Sequence, residues 1–147
     1  MSRKVLATIS LTIEAGCAKP SPPVGPALGS HGLNIISFCK DFNAKTSEIR
    51  QNVPIPVQIT AFTDKSFVWE HSTPPTSYLL LKAAGKSVGS SKPNHLKGGH
   101  ISLKHIYEIA KIKKRRKEFE YLPIQNLCLS IIGSAKSLGL TLSDPPQ

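Results

Sequence analysis

"VWEHSTPPTSYLLLKAAG" occupies residues 68–85 and changes character in its middle. To the left, "SFVWEH" (66–71) is β-branched and aromatic, the composition of a strand. Pro74 and Pro75 then remove two backbone donors and fix φ, so neither a ladder nor a helix runs through them. To the right, "SYLLLKAAG" (77–85) reads as helix. The break divides the 147-residue chain into an N-terminal α/β domain (1–72), a linker (73–76) and a C-terminal helical domain (77–147).

Upstream of the break the strand signal extends back to the start. From Lys4 to Ile13, Val5, Ala7, Ile9, Leu11 and Ile13 fall on one face and Leu6, Thr8, Ser10 and Thr12 on the other, a half-buried strand. "VPIPVQITAF" (53–62) pairs with 66–71 through the turn-forming Thr63, Asp64 and Lys65, giving a hairpin and a three-stranded sheet in all. Asn34 is placed to cap a helix over 35–43, in which Ile35, Phe38, Cys39 and Phe42 share a side. Between strand and helix, "PSPPVGPALGSHG" (20–32) holds four prolines and three glycines. Its prolines restrict φ and so form either a stiff binding face, with Gly25 and Gly29 allowing close approach, or a plain stop that turns the chain.

Downstream the period is helical. "SLKHIYEIAKIKK" (102–114) starts on the cap residue Ser102, and "PIQNLCLSIIGSAKSLG" (123–139) repeats Ile124, Leu127, Ile131, Ala135 and Leu138 at helical spacing. Pro123 suits the first turn and Gly139 the left-handed end. The expected fold is α+β: an N-terminal three-stranded sheet with helices, then a C-terminal three-helix bundle. "KSVGSSKPNHLKGGH" (86–100) offers little to bury and is expected to be mobile until it meets a ligand.

Charge points to the partner. Residues 1–72 carry seven Lys/Arg against five Asp/Glu, a net of +2, whereas 73–147 carry twelve against four, a net of +8. A half-chain that positive repels itself until a polyanion neutralises it, which makes nucleic acid the leading partner and an anionic membrane or acidic protein the alternative. The longest apolar runs, such as "YLLL" (78–81), fall far short of the ~20 residues that cross a bilayer, so no spanning helix is expected. The first thirteen residues alternate instead of forming the apolar core of a secretory signal. The chain is therefore expected to begin directly with its fold.

Chemistry of the enzymatic kind finds no support. Gly85-Lys86-Ser87 resembles the end of a phosphate-binding loop, but Leu80 stands where its first glycine belongs and a helix precedes it. His95, His100 and His105 are five apart, off the spacing of one helical face, and Cys17, Cys39 and Cys128 match no zinc or redox motif. The thiols read as buried and free in a reducing compartment. No paired carboxylates or nucleophile elbow occur, so neither cofactor, metal nor small-molecule substrate is expected.

Two segments fit RNA. "KIKKRRKEFE" (111–120) serves equally as a solvated helix end or as a contact. In "GSAKSLG" (133–139), Gly133, Ser134 and Ala135 make a helix surface thin enough for a polynucleotide backbone to approach, with hydroxyls and Lys136 to bond it; close helix packing explains Ala135 as well.

Six segments in order, "PSPPVGPALGSHGLNIISFCKDFNAKT" (20–46), "PIPVQITAFTDKSF" (54–67), "TPPTSYLLLKAAG" (73–85), "KPN" (92–94), "YEIAKIK" (107–113) and "IIGSAKSLGL" (131–140), resemble the bacterial-type L-eleven family of large-subunit ribosomal proteins. The resemblance implies a C-terminal domain that clasps folded large-subunit rRNA in the GTPase-associated centre. It implies an N-terminal domain that pivots above the RNA and meets stalk proteins and, transiently, translational GTPases. Carried over by position, the RNA-clasping residues are Lys86, Lys92, Pro93, Asn94, Lys113, Gly133, Ser134, Lys136 and Ser137. Pro20, Pro22, Pro23 and Pro26 fall on the side of factors and thiopeptide antibiotics. "KKRRKEFEYLP" (113–123) departs from the more acidic, glycine-containing bacterial connection, whereas "LKHIYEIAKIK" (103–113) and "YLPIQNLCLSIIGSA" (121–135) look like the mitochondrial branch. The expected location is the ribosome of the mitochondrial matrix, with the bacterial cytoplasm as the alternative.

Overall fold

The computed structural model describes residues 3–143 and divides into two compact units, Met1–Pro74 and Pro75–Gln147. In the first, β1 (Val5–Glu14), α1 (Val24–Gly29), α2 (Ile35–Lys45), β2 (Pro54–Phe62) and β3 (Phe67–His71) follow one another, and the strands form an antiparallel sheet in the order β1-β2-β3. The alternation in β1 does what it promises: Ile9 and Leu11 are half-buried and Ile13 buried, while Thr8, Ser10 and Thr12 are exposed. Opposite them, Ile55, Val57, Ile59 and Ala61 of β2 are buried, and α2 lays Phe38 and Phe42 on that apolar face. Phe38 has its ring centroid 5.6 Å from Trp69 and 6.2 Å from Phe67, both edge-on, the arrangement aromatic quadrupoles favour.

Two prolines in the central strand call for an explanation, since proline cannot donate to a ladder. Pro54 and Pro56 pair with β1 opposite Glu14 and Thr12, but the β3 ladder covers only Val57 to Ala61. The Pro56 carbonyl accepts from the Ser72 N–H at 2.9 Å, so the Pro56 nitrogen faces the β3 side, beyond the end of that ladder. No ladder donor is lost. At the hairpin tip the Asp64 side chain accepts from the Ser66 N–H and hydroxyl, and these bonds hold its carboxyl below the usual range.

Asn34 caps α2 as expected, accepting from the Ser37 N–H at 3.1 Å. The proline stretch is more than a stop that turns the chain: its second half coils into α1, whose Val24 and Leu28 are buried. Periodicity could not reveal a helix of six residues that begins beside prolines. Gly25 also serves a purpose other than ligand approach, because a Cβ there would lie 2.6 Å from the Pro20 carbonyl oxygen. The stretch folds back on itself. Its entry is pinned by Asn43, which bonds both the N–H and the carbonyl of Ala18, and by Thr46, which accepts from the Gly16 N–H.

The second unit contains α3 (Thr76–Ala83), β4 (Gly99–Ser102), α4 (Leu103–Lys114), a 3-10 turn (Lys117–Phe119), α5 (Ile124–Ser137) and β5 (Leu140–Ser143). Leu80 of α3, Ile106, Ile109 and Ala110 of α4, and Leu127, Ile131 and Ala135 of α5 close an aliphatic core. Ser102 caps α4, accepting from the His105 N–H. The three helices are joined by a feature that the helical pattern hid: β4 and β5 pair in parallel, Gly99 opposite Leu140 through Ser102 opposite Ser143. Each strand has four residues and runs straight on from a loop or a helix end, too short for a period of two to register.

The mobile-loop expectation for 86–100 is also corrected. A Schellman cap ends α3, with Gly85 at φ +69°, its N–H on the Lys82 carbonyl and the Lys86 N–H on that of Leu81. Gly85 and Lys86 therefore close a helix. Beyond them, the Ser90 N–H bonds the Leu138 carbonyl at 2.9 Å and the Gly98 N–H bonds that of Gly139 at 2.8 Å. The loop supplies donors to carbonyls at the end of α5 that have no partner within the helix.

Candidate nucleic-acid interface

α5 buries one side against α3 and α4 and leaves the other open. Asn126, Ser130, Gly133 and Ser137 recur at i, i+4, i+7 and i+11, so they share a single line about 16 Å long at 1.5 Å per residue. Ser134 lies beside this line, half-buried, and Lys136 and Leu129 flank it on the other side, both exposed. A Cβ on Gly133 would meet nothing within 4 Å, so this glycine is not required by packing. The observation rules out close helix contact as the reason for Gly133. It leaves that reason standing for Ala135, which is buried. The hydroxyls of Ser134 and Ser137 donate to the carbonyls of Ser130 and Ser134, at 3.3 and 2.6 Å, and their lone pairs remain free to accept from a ligand.

The loop adds charge at one end of this line. Ser90 organises the turn, its hydroxyl donating to the Leu96 carbonyl and accepting from the Lys92 N–H. That fixes Lys92, Pro93 and Asn94 against α5: a Cβ on Gly139 would lie 3.4 Å from the Pro93 Cα and 2.6 Å from the Ser90 Cβ. Gly139 also has φ +79°, so both backbone and space demand glycine. The Lys86 stem runs along Gly99 of β4, within 3.4 to 3.5 Å of where a Cβ would stand. Lys86, Lys92, Lys97 and Lys136 are exposed, and none makes an ion pair among the described residues. Their charge is uncommitted.

Lys113 departs from the sequence expectation. It is only 7% exposed, and burial, followed by the nearby Arg116 charge, pushes its ammonium below the ordinary lysine range. An open phosphate contact needs an exposed cation, which Lys113 is not. It lies on the side of α4 that also buries Ile106, Ile109 and Ala110, at i+7, i+4 and i+3 intervals that the sequence displays and the motif comparison overlooked. Asn126 and Ser130 are absent from the sequence expectation too, although they stand seven and three residues before Gly133, on the same side of the helix.

An open, thin, polar helix face beside a tethered lysine-bearing loop suits a polyanion whose backbone must come close. Two family models agree with this reading: ribosomal protein L11, N-terminal domain, matches residues 9–67, and ribosomal protein L11, RNA binding domain, matches residues 72–142. The chain belongs to the ribosomal protein L11 family. It is accordingly a structural, non-enzymatic protein of the ribosome, and its second unit is the RNA-binding domain of L11. The +8 balance of residues 73–147 thereby has its counter-charge. In the first unit of this L11 chain, Pro20, Pro22, Pro23 and Pro26 are all exposed, on a short segment anchored by Val24 and Leu28. A shallow groove of about 240 Å³ runs beside them, lined by Glu14, Cys17, Lys19 and Ser21 among others.

Proposed function

We propose that this L11-family chain stabilises folded large-subunit rRNA at the GTPase-associated centre and forms part of the stalk base on which translational GTPases act. The division of labour follows the break at 73–76. Residues 77–147 grip RNA through Lys86, Lys92, Pro93, Asn94, Gly133, Ser134, Lys136 and Ser137, extended by Asn126 and Ser130; Lys113 supports this surface from within α4. Residues 1–72 present the exposed prolines to factors and stalk proteins, and their restricted φ lowers the entropy lost when a partner docks. Similarity of residues 103–113 and 121–135 to the mitochondrial branch favours a mitochondrial ribosome. Recognition is chiefly of shape, phosphate and ribose, because folded RNA offers its backbone and minor groove more readily than its base edges.

The observation that carries the proposal is the unfilled space over Gly133, next to cations that make no ion pair among the described residues. The test is Gly133→Glu combined with Lys136→Glu in the full chain. Two negative charges, one on the line and one flanking it, should lower affinity for the cognate rRNA fragment about 100-fold, given about 1–3 kcal/mol for each contact broken. Wild-type binding should follow a log–log salt slope of roughly −0.7 to −0.9 per phosphate engaged. Undiminished affinity in the folded double variant would refute the assignment.

A further inference from the structure

The solvent side of α4 carries a second cationic surface that the α5 site does not use. Lys104, Glu108, Lys111 and Arg115 fall at i, i+4, i+7 and i+11, one row about 16 Å long, and Leu103 and Tyr107 form the row beside it. Leu103 is 53% exposed and Tyr107 47%. The Lys111 ammonium lies 5.0 Å from the centre of the Tyr107 ring and 2.7 Å from the Glu108 carboxylate, so Glu108 balances one cation, and among the described residues no ion pair engages Lys104 or Arg115. α4 and α5 pack through their buried sides, and this row lies on the exposed side of α4, away from that packing. A ligand lying along the α5 line does not cover this row.

Helix stability accounts for part of the row only. Lys111 and Arg115 sit near the C-terminus, where cations complement the macrodipole. Lys104 stands in the first turn, where a cation opposes it, and no acid occupies that turn. A local rule broken without structural gain, beside an exposed leucine and tyrosine, marks a functional surface. We propose that this row binds the phosphate backbone of a second RNA segment, distinct from the one held by α5.

The composition of the row favours RNA over the other polyanions. Protein interfaces bury an apolar core over about 800 Å² per partner, and two apolar side chains do not make one. An interfacial membrane helix needs a broad apolar side, and that of α4 is spent on the core. RNA interfaces are polar and strongly basic, with aromatic rings set among the cations, as Tyr107 is here.

The proposal goes beyond the α5 site and is separable from it. The full-length protein would be titrated with a short RNA duplex of arbitrary sequence, and bound duplexes counted by native mass spectrometry at low salt. Wild type should carry two per chain. Lys104→Gln/Lys111→Gln/Arg115→Gln, which keeps good helix formers, should carry one, with the salt slope of generic binding reduced by about 2. Its affinity for the cognate fragment should stay within about twofold of wild type, whereas Gly133→Glu/Lys136→Glu should lose the cognate fragment and keep the generic duplex on α4. Should the triple variant fail to fold, Lys104→Gln alone, which removes an unfavourable dipole interaction, must lower the slope by about 0.8. One duplex per wild-type chain, an unchanged slope, or equal occupancy of the row by polyglutamate or phosphatidylserine vesicles would each overturn the proposal.

Discussion

The two units are nearly equal in length and differ in what fills them. The first closes on Phe38, Phe42, Leu28, Ile55 and Ile59, with Trp69 and Phe67 packed alongside; the second closes on leucine, isoleucine and alanine, with no aromatic ring in its buried cluster. The exposed prolines are anchored to that core through buried Val24 and Leu28. The aliphatic unit instead keeps its helices slim, with Ala110 and Ala135 inside and Gly133 outside, and carries the charge. One unit carries four exposed prolines beside an aromatic core. The other is built to let a polyanion come close.

The largest expected effect tests whether these duties are separable. Phe38→Ala should cost the first unit about 3–5 kcal/mol, read from the fluorescence of Trp69, the one tryptophan, during denaturant unfolding. Affinity for the cognate rRNA fragment should not change. A parallel loss of RNA binding would break the contrast between a presenting unit and a gripping one.

Two glycine substitutions sharpen it further, since one lies within α5 and one just past its end, and they act with opposite signs. Gly139→Ala forces a left-handed residue to carry a Cβ 2.6 Å from that of Ser90, and should destabilise the second unit by about 2 kcal/mol through backbone strain and loss of the loop tether. Thermal melting followed by circular dichroism and RNA filter binding should both worsen. Gly133→Ala, by contrast, places its methyl in open space within a helix and should stabilise the unit by about 1 kcal/mol. RNA affinity should nevertheless fall, because the methyl stands where the ligand backbone approaches. A variant at 133 that gained in both assays would leave the thin surface without a purpose.

Much of this architecture was legible in the chain. Alternation in residues 4–13 identified β1 and its buried side, and the helical rhythm of Leu127, Ile131 and Ala135 identified the core side of α5, because each pattern runs long enough for one period to stand out. The candidate site was half legible. Gly133, Ser134, Lys136 and Ser137 appear in one motif, but the motif says nothing of what they touch. Lys113 shows the cost: carried over by position from the family motif, it counted as a contact, whereas its place at i+7 from Ile106 turns it inward.

By itself, the sequence determined the elements with a sustained period and the sign and location of the charge, since both depend on residues close together in the chain. Only the tertiary structure decided that β4 meets β5 across some forty residues, that the Lys86 to Gly98 loop is bonded to the end of α5, and that the proline stretch coils onto its own Pro20 carbonyl. Those outcomes rest on donors and acceptors finding partners far along the chain. No local pattern encodes such a meeting, because the free energy that selects it comes from satisfying buried backbone groups and filling space after the elements have packed.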